Sequence, residues 1–129
     1  NPGSVTEKKL LEYKLVGVNR LSIGGQTLNE DILKILGRHH SVKDTKTAIK
    51  LAQKIGFENL NVDMMLALPT QKLRDVKKMA KFLVKKDIKH ISPYSLILSP
   101  KKPLTSACNF SKILFLFIVL ILFFIYSVK

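Results

Sequence analysis

Apolar and polar residues alternate along the first 98 residues in segments that switch between a helical and a strand-like period. A spacing of three or four positions between apolar residues predicts four amphipathic helices, over residues 6–16, 28–36, 41–56 and 71–85. Shorter stretches rich in Val, Ile and Leu predict three strands, over residues 18–23, 59–68 and 90–98. The predicted order is therefore helix, strand, helix, helix, strand, helix and strand.

Local signals mark the ends of these elements. Ser41 and Asp44 resemble a capping box at the start of the third helix. The first strand is predicted to end in a turn at residues 24–25, both glycines. Pro93 falls inside the third strand, where its missing N–H demands an irregularity or the end of the strand.

Strands that alternate with helices predict an α/β fold with a parallel sheet, because parallel neighbours need long crossover connections. The pattern fits about three βα units of a barrel or of an open α/β sheet. In both architectures ligands bind at the carboxyl ends of the strands. The residues that follow each strand are therefore the first candidates for function.

The character of the chain changes after residue 98. Residues 99–112 begin with a linker composition, and within the tail at 113–129 every residue from 113 to 126 is apolar apart from one tyrosine hydroxyl. As a helix this run is about 21 Å long, whereas a bilayer core of about 30 Å needs about 20 residues. We interpret the tail as the product of a shifted reading frame, with a marginal membrane segment as the alternative.

Composition narrows the class of protein. The net charge of +13 comes from lysines spread over polar helix positions, which favours a solvated surface over nucleic-acid binding. A small basic α/β binding module, tethered to a membrane by residues 113–126, is the alternative.

The lone Cys108 can form no internal disulfide and cannot hold a zinc or iron–sulfur site by itself. The start of the chain has no secretion signal, so we expect a cytoplasmic protein, and the absence of an initial Met fits a fragment or a processed product.

Three polar residues stand out beside the predicted strands. Gln26 follows the first strand, Arg38 follows the second helix, and Asp63 lies among apolar residues of the second strand. Together they suit a zwitterionic ligand with hydroxyl groups, because a guanidinium binds carboxylates and the acid and amide bind hydroxyls or an ammonium. The alternative interpretation is a turn residue, a surface residue and an acid paired with a lysine or with Arg20.

The histidines invite a haem-binding interpretation. His39 and His40 follow a helix end, and His90 begins the third strand. A single histidine in such a place is more often a hydrogen-bonded structural residue than a metal ligand. We therefore predict a structural role, with haem ligation as the alternative.

The order and spacing of several blocks resemble one known family. The blocks lie at residues 1–4, 22–27, 36–40, 61–69 and 90–98. They are similar to the middle of the radical S-adenosylmethionine (SAM) family of oxygen-independent coproporphyrinogen III oxidases, which includes haem chaperones of the HemW type. The resemblance implies a partial (βα) barrel of the radical SAM type over residues 1–98. The residues of the matching blocks are more similar to those of the chaperone branch than to those of the oxidases.

The resemblance also implies cofactors and roles for residues. Gln26, Arg38 and Asp63 match SAM-contacting positions, and residues 93–95 match a backbone contact. Full-length members hold SAM on a [4Fe–4S] cluster, and they act on coproporphyrinogen or bind and deliver haem. The expected partners are SAM and a porphyrin or haem, with no nucleic acid.

The chain departs from the family pattern at several points. It contains no Cys-x-x-x-Cys-x-x-Cys cluster motif, and the SAM-contacting Glu belongs two residues before Asn1. Ala67 replaces an expected Gly, Lys72 replaces a usual Thr, and the expected acidic block is missing at residues 99–102. We therefore expect this chain to be an inactive fragment of a radical SAM protein.

Overall fold

The computed structural model describes residues 1–95 of the 129-residue chain. Its three strands are β1 (Arg20–Gln26), β2 (Asn59–Leu66) and β3 (His90–Ser95). Its helices are α1 (Glu7–Leu15), α2 (Glu30–Ile35), α3 (Val42–Lys54) and α4 (Leu73–Lys85), after a short 3-10 turn at Pro2–Ser4. All seven predicted elements are present within the described residues. Residues 96–98 of the third predicted strand, the predicted linker at 99–112 and the tail at 113–129 lie outside them.

The three strands form one parallel sheet in the order β1-β2-β3. Leu21 pairs with Leu60, and Val62 pairs with Ile91, so the apolar positions of neighbouring strands lie side by side. Helices connect strands that run in the same direction, as parallel pairing requires. The predicted α/β class is confirmed, and the arrangement matches part of a (βα) barrel.

One face of the sheet packs against the helices and forms the main core. Alternate residues of β2 point into it because successive side chains of a strand point to opposite faces. Residues from α1, α3, α4 and the three strands complete this core. Its members exposed by 2% or less are Leu10, Ala48, Ile49, Ala52, Phe57, Leu60, Val62, Met64, Leu66, Val76, Met79 and Leu83.

The capping box predicted at the start of α3 is confirmed. The Ser41 backbone N–H donates to Asp44 Oδ2 at 2.8 Å, and the Asp44 backbone N–H donates to Ser41 Oγ at 3.1 Å. At the start of α4, Asp75 Oδ2 accepts from the Lys72 backbone N–H at 2.8 Å. A lysine side chain cannot accept a hydrogen bond, so the unusual Lys72 leaves α4 with only half of such a box.

Strand β1 differs from the prediction in its end. It continues through residues 24–25 to Gln26, and the pairing with β2 shifts between Ile23 and Gln26. A Cβ on Gly25 would lie 2.9 Å from Val62 Cγ1 and 3.1 Å from Met79 Cε. Glycine at this position therefore allows close packing against the core and is not a turn signal.

Helix α1 is less buried than its pattern indicates. Leu10 is buried, but Leu11 is 49% exposed and Leu15 is 86% exposed. Only one side of α1 packs against α3 in the described part of the chain. The apolar spacing of α1 predicts that Leu10, Leu11 and Leu15 share one helical face, but of these three only Leu10 is buried.

Pro93 lies within β3, in register with Met64 of β2. Strand β3 is an outer strand of the described sheet, so it pairs on one side only. An outer strand tolerates a residue without an N–H donor better than a central strand does. The proline therefore does not end the strand.

Candidate functional site

Polar side chains lie at one level across the sheet face that points away from the helices. Asn61 is at the centre and is 4% exposed. Its Nδ2 donates to Ser22 Oγ at 2.8 Å and to Asp63 Oδ1 at 2.9 Å. The Ser22 hydroxyl donates to the same Asp63 oxygen at 3.2 Å, and the Ser92 hydroxyl donates to Asn61 Oδ1 at 2.9 Å. We call these four residues the polar network.

Asp63 is half-buried and keeps one oxygen available. Oδ1 accepts both hydrogen bonds of the polar network, and Oδ2 has no hydrogen-bond partner within residues 1–95. The ion pairs in this part of the chain involve other acids, so Asp63 is not paired with Arg20 or with a lysine there. An oriented carboxylate with a free oxygen can accept a hydrogen bond from a ligand hydroxyl or ammonium.

Gln26 ends β1 with a buried side chain that is held at its oxygen. It is 3% exposed, and the Tyr94 hydroxyl donates to Gln26 Oε1 at 2.7 Å. Tyr94 lies two residues after Ser92 in β3, so both side chains point to the same face of the sheet. Gln26 and the polar network therefore share one face.

Two strands leave the sheet through a left-handed backbone. Gln26 has a φ of 59°, and Ala67, directly after β2, has a φ of 55°. The loop after β2 is tied by Gln71, whose Nε2 donates to the Met65 carbonyl at 3.0 Å and whose Oε1 accepts from the Leu68 N–H at 3.2 Å. Non-glycine residues rarely adopt this conformation, and such strain is concentrated at functional sites.

The geometry at Ala67 accounts for the glycine expected at this position, but not for the alanine that replaces it. The resemblance leads us to expect glycine there, and a positive φ is the conformation that glycine adopts without a steric penalty. This chain keeps the conformation with an alanine.

Arg38 is exposed and follows Gly37, whose φ of 64° ends α2. Its backbone N–H donates to the Leu33 carbonyl at 3.0 Å. Within the described residues its guanidinium makes no ion pair or hydrogen bond. Gln26 and Asp63 thus share a face, whereas no hydrogen bond or ion pair within residues 1–95 joins Arg38 to either of them.

His40 is buried, as expected of a structural histidine. It is 4% exposed, and neither ring nitrogen makes a hydrogen bond of standard geometry with the described residues, although the Gly25 backbone interacts with the ring. Burial, followed by the nearby charge of Arg38, lowers the pKa of His40. His39 and His90 are exposed. Residues 1–95 contain no group of three or more His, Cys, Asp or Glu side chains that could hold a metal ion.

Three members of the polar network, Ser22, Asn61 and Ser92, were not predicted from the sequence. Asn61 lies two residues before Asp63. On the outer strands, Ser22 is in register with Asn61 and Ser92 is in register with Asp63. The signal was the alternation within β2, where polar residues at 59, 61 and 63 alternate with apolar ones. It indicates one polar face, but the partners on the other strands depend on register.

None of the helices within residues 1–95 is long and apolar enough to cross a membrane. Residues 113–126, the segment predicted as a marginal span, lie outside this part of the chain. The prediction that the protein does not bind nucleic acid stays a prediction.

Comparisons with known proteins agree with the fold. The chain matches the radical SAM superfamily over residues 1–83. It is 43% identical over 101 residues to the heme chaperone HemW of Bacillus subtilis, covering 78% of this chain and 27% of that protein. It is 38% identical over 100 residues to HemW of Escherichia coli, covering 78% and 26%. The chain thus spans about a quarter of the length of these relatives.

Two solved structures share the architecture. The radical SAM enzyme coproporphyrinogen III oxidase (HemN) from Escherichia coli has a TM-score of 0.83 at 21% identity, covering 98% of this chain and 31% of that chain. Elp3 of the archaeon Methanocaldococcus infernus has a TM-score of 0.69 at 26% identity, covering 81% and 25%. At 21% identity, the similarity to HemN concerns the fold alone.

Proposed function

Because the chain belongs to the radical SAM superfamily, we propose that residues 1–95 supply part of a SAM-binding site to a protein of haem or porphyrin metabolism. The observation that carries this proposal is the polar face of the sheet, where Gln26 ends β1, Asp63 lies three residues before the end of β2, and both offer oriented polar groups. Ligands bind at the carboxyl ends of parallel strands in α/β folds.

Each proposed contact follows from the chemistry of SAM. The free Oδ2 of Asp63 suits a ribose hydroxyl or the ammonium of the methionine part. The exposed guanidinium of Arg38 suits the carboxylate. The buried carboxamide of Gln26 suits a further polar group of the ligand. SAM bound there would supply the radical chemistry of the superfamily.

The residues of this chain do not fit the iron–sulfur cluster. Such a cluster needs several thiolates, and the sequence contains the single cysteine Cys108, outside the described residues. Residues 1–95 offer no alternative group of metal ligands. We therefore assign no step of cluster chemistry to these residues, and this chain alone is proposed to be inactive.

The proposed branch is the heme chaperone one, and the proposed location is the cytoplasm. The relatives named heme chaperones are 43% and 38% identical to this chain, whereas the oxidase structure is 21% identical. Haem or a porphyrin is accordingly the proposed partner of the whole protein.

Calorimetric titration of the full 129-residue chain with SAM tests the proposed site. We expect saturable binding that Asp63→Asn weakens at least about tenfold, because the amide offers a donor where the carboxylate accepts. Asp31→Asn is the matched control, since Asp31 is exposed on α2. No saturable binding, or equal affinity for the Asp63 variant, would overturn the proposal.

A further inference from the structure

Gln26 is held in a conformation that its residue type disfavours. Its φ of 59° is left-handed, yet the side chain is 3% exposed and keeps one fixed contact. A left-handed backbone is sterically disfavoured for an L-residue other than glycine. The surrounding structure must therefore stabilise Gln26 in this conformation, and the hydrogen bond of its side chain contributes to that stabilisation.

The stabilising contact crosses the sheet. Tyr94 belongs to β3 and Gln26 to β1, and these strands are separated by β2. Tyr94 pairs in register with Met65, so the hydrogen bond of 2.7 Å from its hydroxyl to Gln26 Oε1 passes over the carboxyl end of β2. One bond thus ties the two outer strands of the described sheet together.

This bond decides which end of the carboxamide remains available. Oε1 is occupied by the tyrosine hydroxyl, and within the described residues no hydrogen bond is donated by Nε2. Nε2 is not among the buried atoms without a partner in this part of the chain, so this donor reaches solvent. A Cβ on Gly24 would lie 3.0 Å from Nε2, which means that glycine leaves the space beside the donor open.

We propose that Tyr94 is a positioning residue that fixes the Gln26 carboxamide with its N–H donor toward the ligand. The position at Gln26 then takes a hydrogen-bond acceptor, such as a hydroxyl oxygen, a ring nitrogen or a carboxylate. It does not take an ammonium, for which Asp63 provides the acceptor on the same face. This inference rests on the proposed SAM site. It specifies that the ligand presents a hydrogen-bond acceptor, not a donor, to Gln26.

Two variants of the full 129-residue chain test the proposal by calorimetric titration with SAM. Tyr94→Phe removes the bond that fixes the carboxamide, and we expect the affinity to fall about tenfold. Gln26→Glu keeps an acceptor for the Tyr94 hydroxyl but replaces the donor by a second acceptor. We expect this variant to bind SAM at least as weakly as Tyr94→Phe. A purely structural tie between β1 and β3 would leave the affinity of Gln26→Glu unchanged.

Tyr13→Phe is the matched control. Tyr13 is 46% exposed on α1, and its hydroxyl has no hydrogen-bond partner within residues 1–95. The proposal is overturned if Tyr94→Phe binds SAM as tightly as Tyr13→Phe does. It is also overturned if Gln26→Glu binds more tightly than the parent chain, because that result places the ligand ammonium at Gln26.

A readout without ligand separates this inference from the proposed function. The side-chain amide protons of Gln26, assigned by their loss in Gln26→Leu, give two NMR signals. We expect Tyr94→Phe to move them toward the positions of a free glutamine, and Tyr13→Phe to leave them in place. If the parent chain does not bind SAM but the signals move, the proposed function fails and the positioning by Tyr94 stands. If the signals do not move, the positioning fails as well.

Discussion

The two faces of the sheet differ in chemistry, although they are built from the same strands. Toward the helices, Leu60, Val62 and Met64 of β2 are exposed by 2% or less and pack among apolar side chains. Toward the other side, Asn61 and Asp63 of the same strand join hydrogen bonds that reach β1 and β3. One face forms the apolar core, and the other carries the hydrogen-bonded polar groups of the proposed site.

This difference also bears on the architecture. Parallel sheets are usually covered on both faces, and in a (βα) barrel the inner face is filled by side chains. A polar network on the inner face costs free energy unless its groups are paired, and here each member of the network has a partner. The inner face therefore carries paired polar groups in place of an apolar core. Substitutions on the two faces should have different consequences.

The largest expected effect comes from the helix-facing side. Leu83→Ala in α4 should lower the free energy of unfolding by about 2–5 kcal/mol, because the leucine is fully buried and its removal leaves a cavity. Urea denaturation followed by circular dichroism measures this loss. Leu15→Ala is the control, since Leu15 is 86% exposed, and its effect should stay within about 0.5 kcal/mol. Similar losses for both variants would contradict the described core.

A change in the polar network should cost less. Ser92→Ala removes the hydrogen bond to Asn61 Oδ1 and should lower the free energy of unfolding by about 0.5–1.5 kcal/mol. The same variant should weaken SAM binding, because Asn61 helps to orient Asp63. Ser95→Ala in the same strand is the control, as no hydrogen bond of its hydroxyl is found within the described residues. If Ser92→Ala lowers stability but never affinity, the network is only structural.

At the carboxyl edge a substitution should stabilise the protein. Ala67→Gly should raise the free energy of unfolding by up to about 1 kcal/mol, because glycine relieves the left-handed φ of 55°. Gly37→Ala is the reverse control: its φ is 64° and its Cβ would meet no atom within 4 Å, so only the backbone is strained. Thermal unfolding should show shifts of opposite sign. A destabilised Ala67→Gly would mean that the methyl group matters more than the backbone.

The smallest expected effect is a dependence on pH. The pKa of His40 lies below its ordinary value of 6.5 in the folded chain, mainly because of burial and then because of Arg38. Between the folded pKa and pH 6.5 the unfolded chain therefore binds a proton that the folded chain does not bind. The free energy of unfolding should fall as the pH drops through 6.5 toward the folded pKa, and then level off for this group.

Denaturation between pH 7.5 and 5.5 measures this dependence. His40→Gln should flatten it, whereas His39→Gln, at an exposed neighbour, should not. The other charges that act on His40 are Asp44 and the amino group of Asn1. Hydrogen bonds from Ser41 lower the pKa of Asp44 below 3.8, so its own titration falls outside this range. An unchanged slope in His40→Gln would assign the dependence to another group.

The sequence by itself determined the order of the seven elements and the α/β class. Hydrophobic periodicity is a local property, and the capping box at Ser41 and Asp44 depends on residues three apart. The family resemblance pointed to Gln26, Arg38 and Asp63 because linked blocks carry those residues in order. The spacing of apolar residues within one segment did not predict the exposure of Leu11 and Leu15 or the end of β1, because these depend on contacts between segments.

Only the tertiary structure decided which side chains meet. Ser22, Asn61 and Ser92 are far apart in sequence, and the register of three strands brings them together. Tyr94 reaches Gln26 across 68 positions of sequence. No pattern within one segment specifies such contacts, because strand register, the shift in pairing beside Gln26 and the burial of His40 are settled by packing between elements.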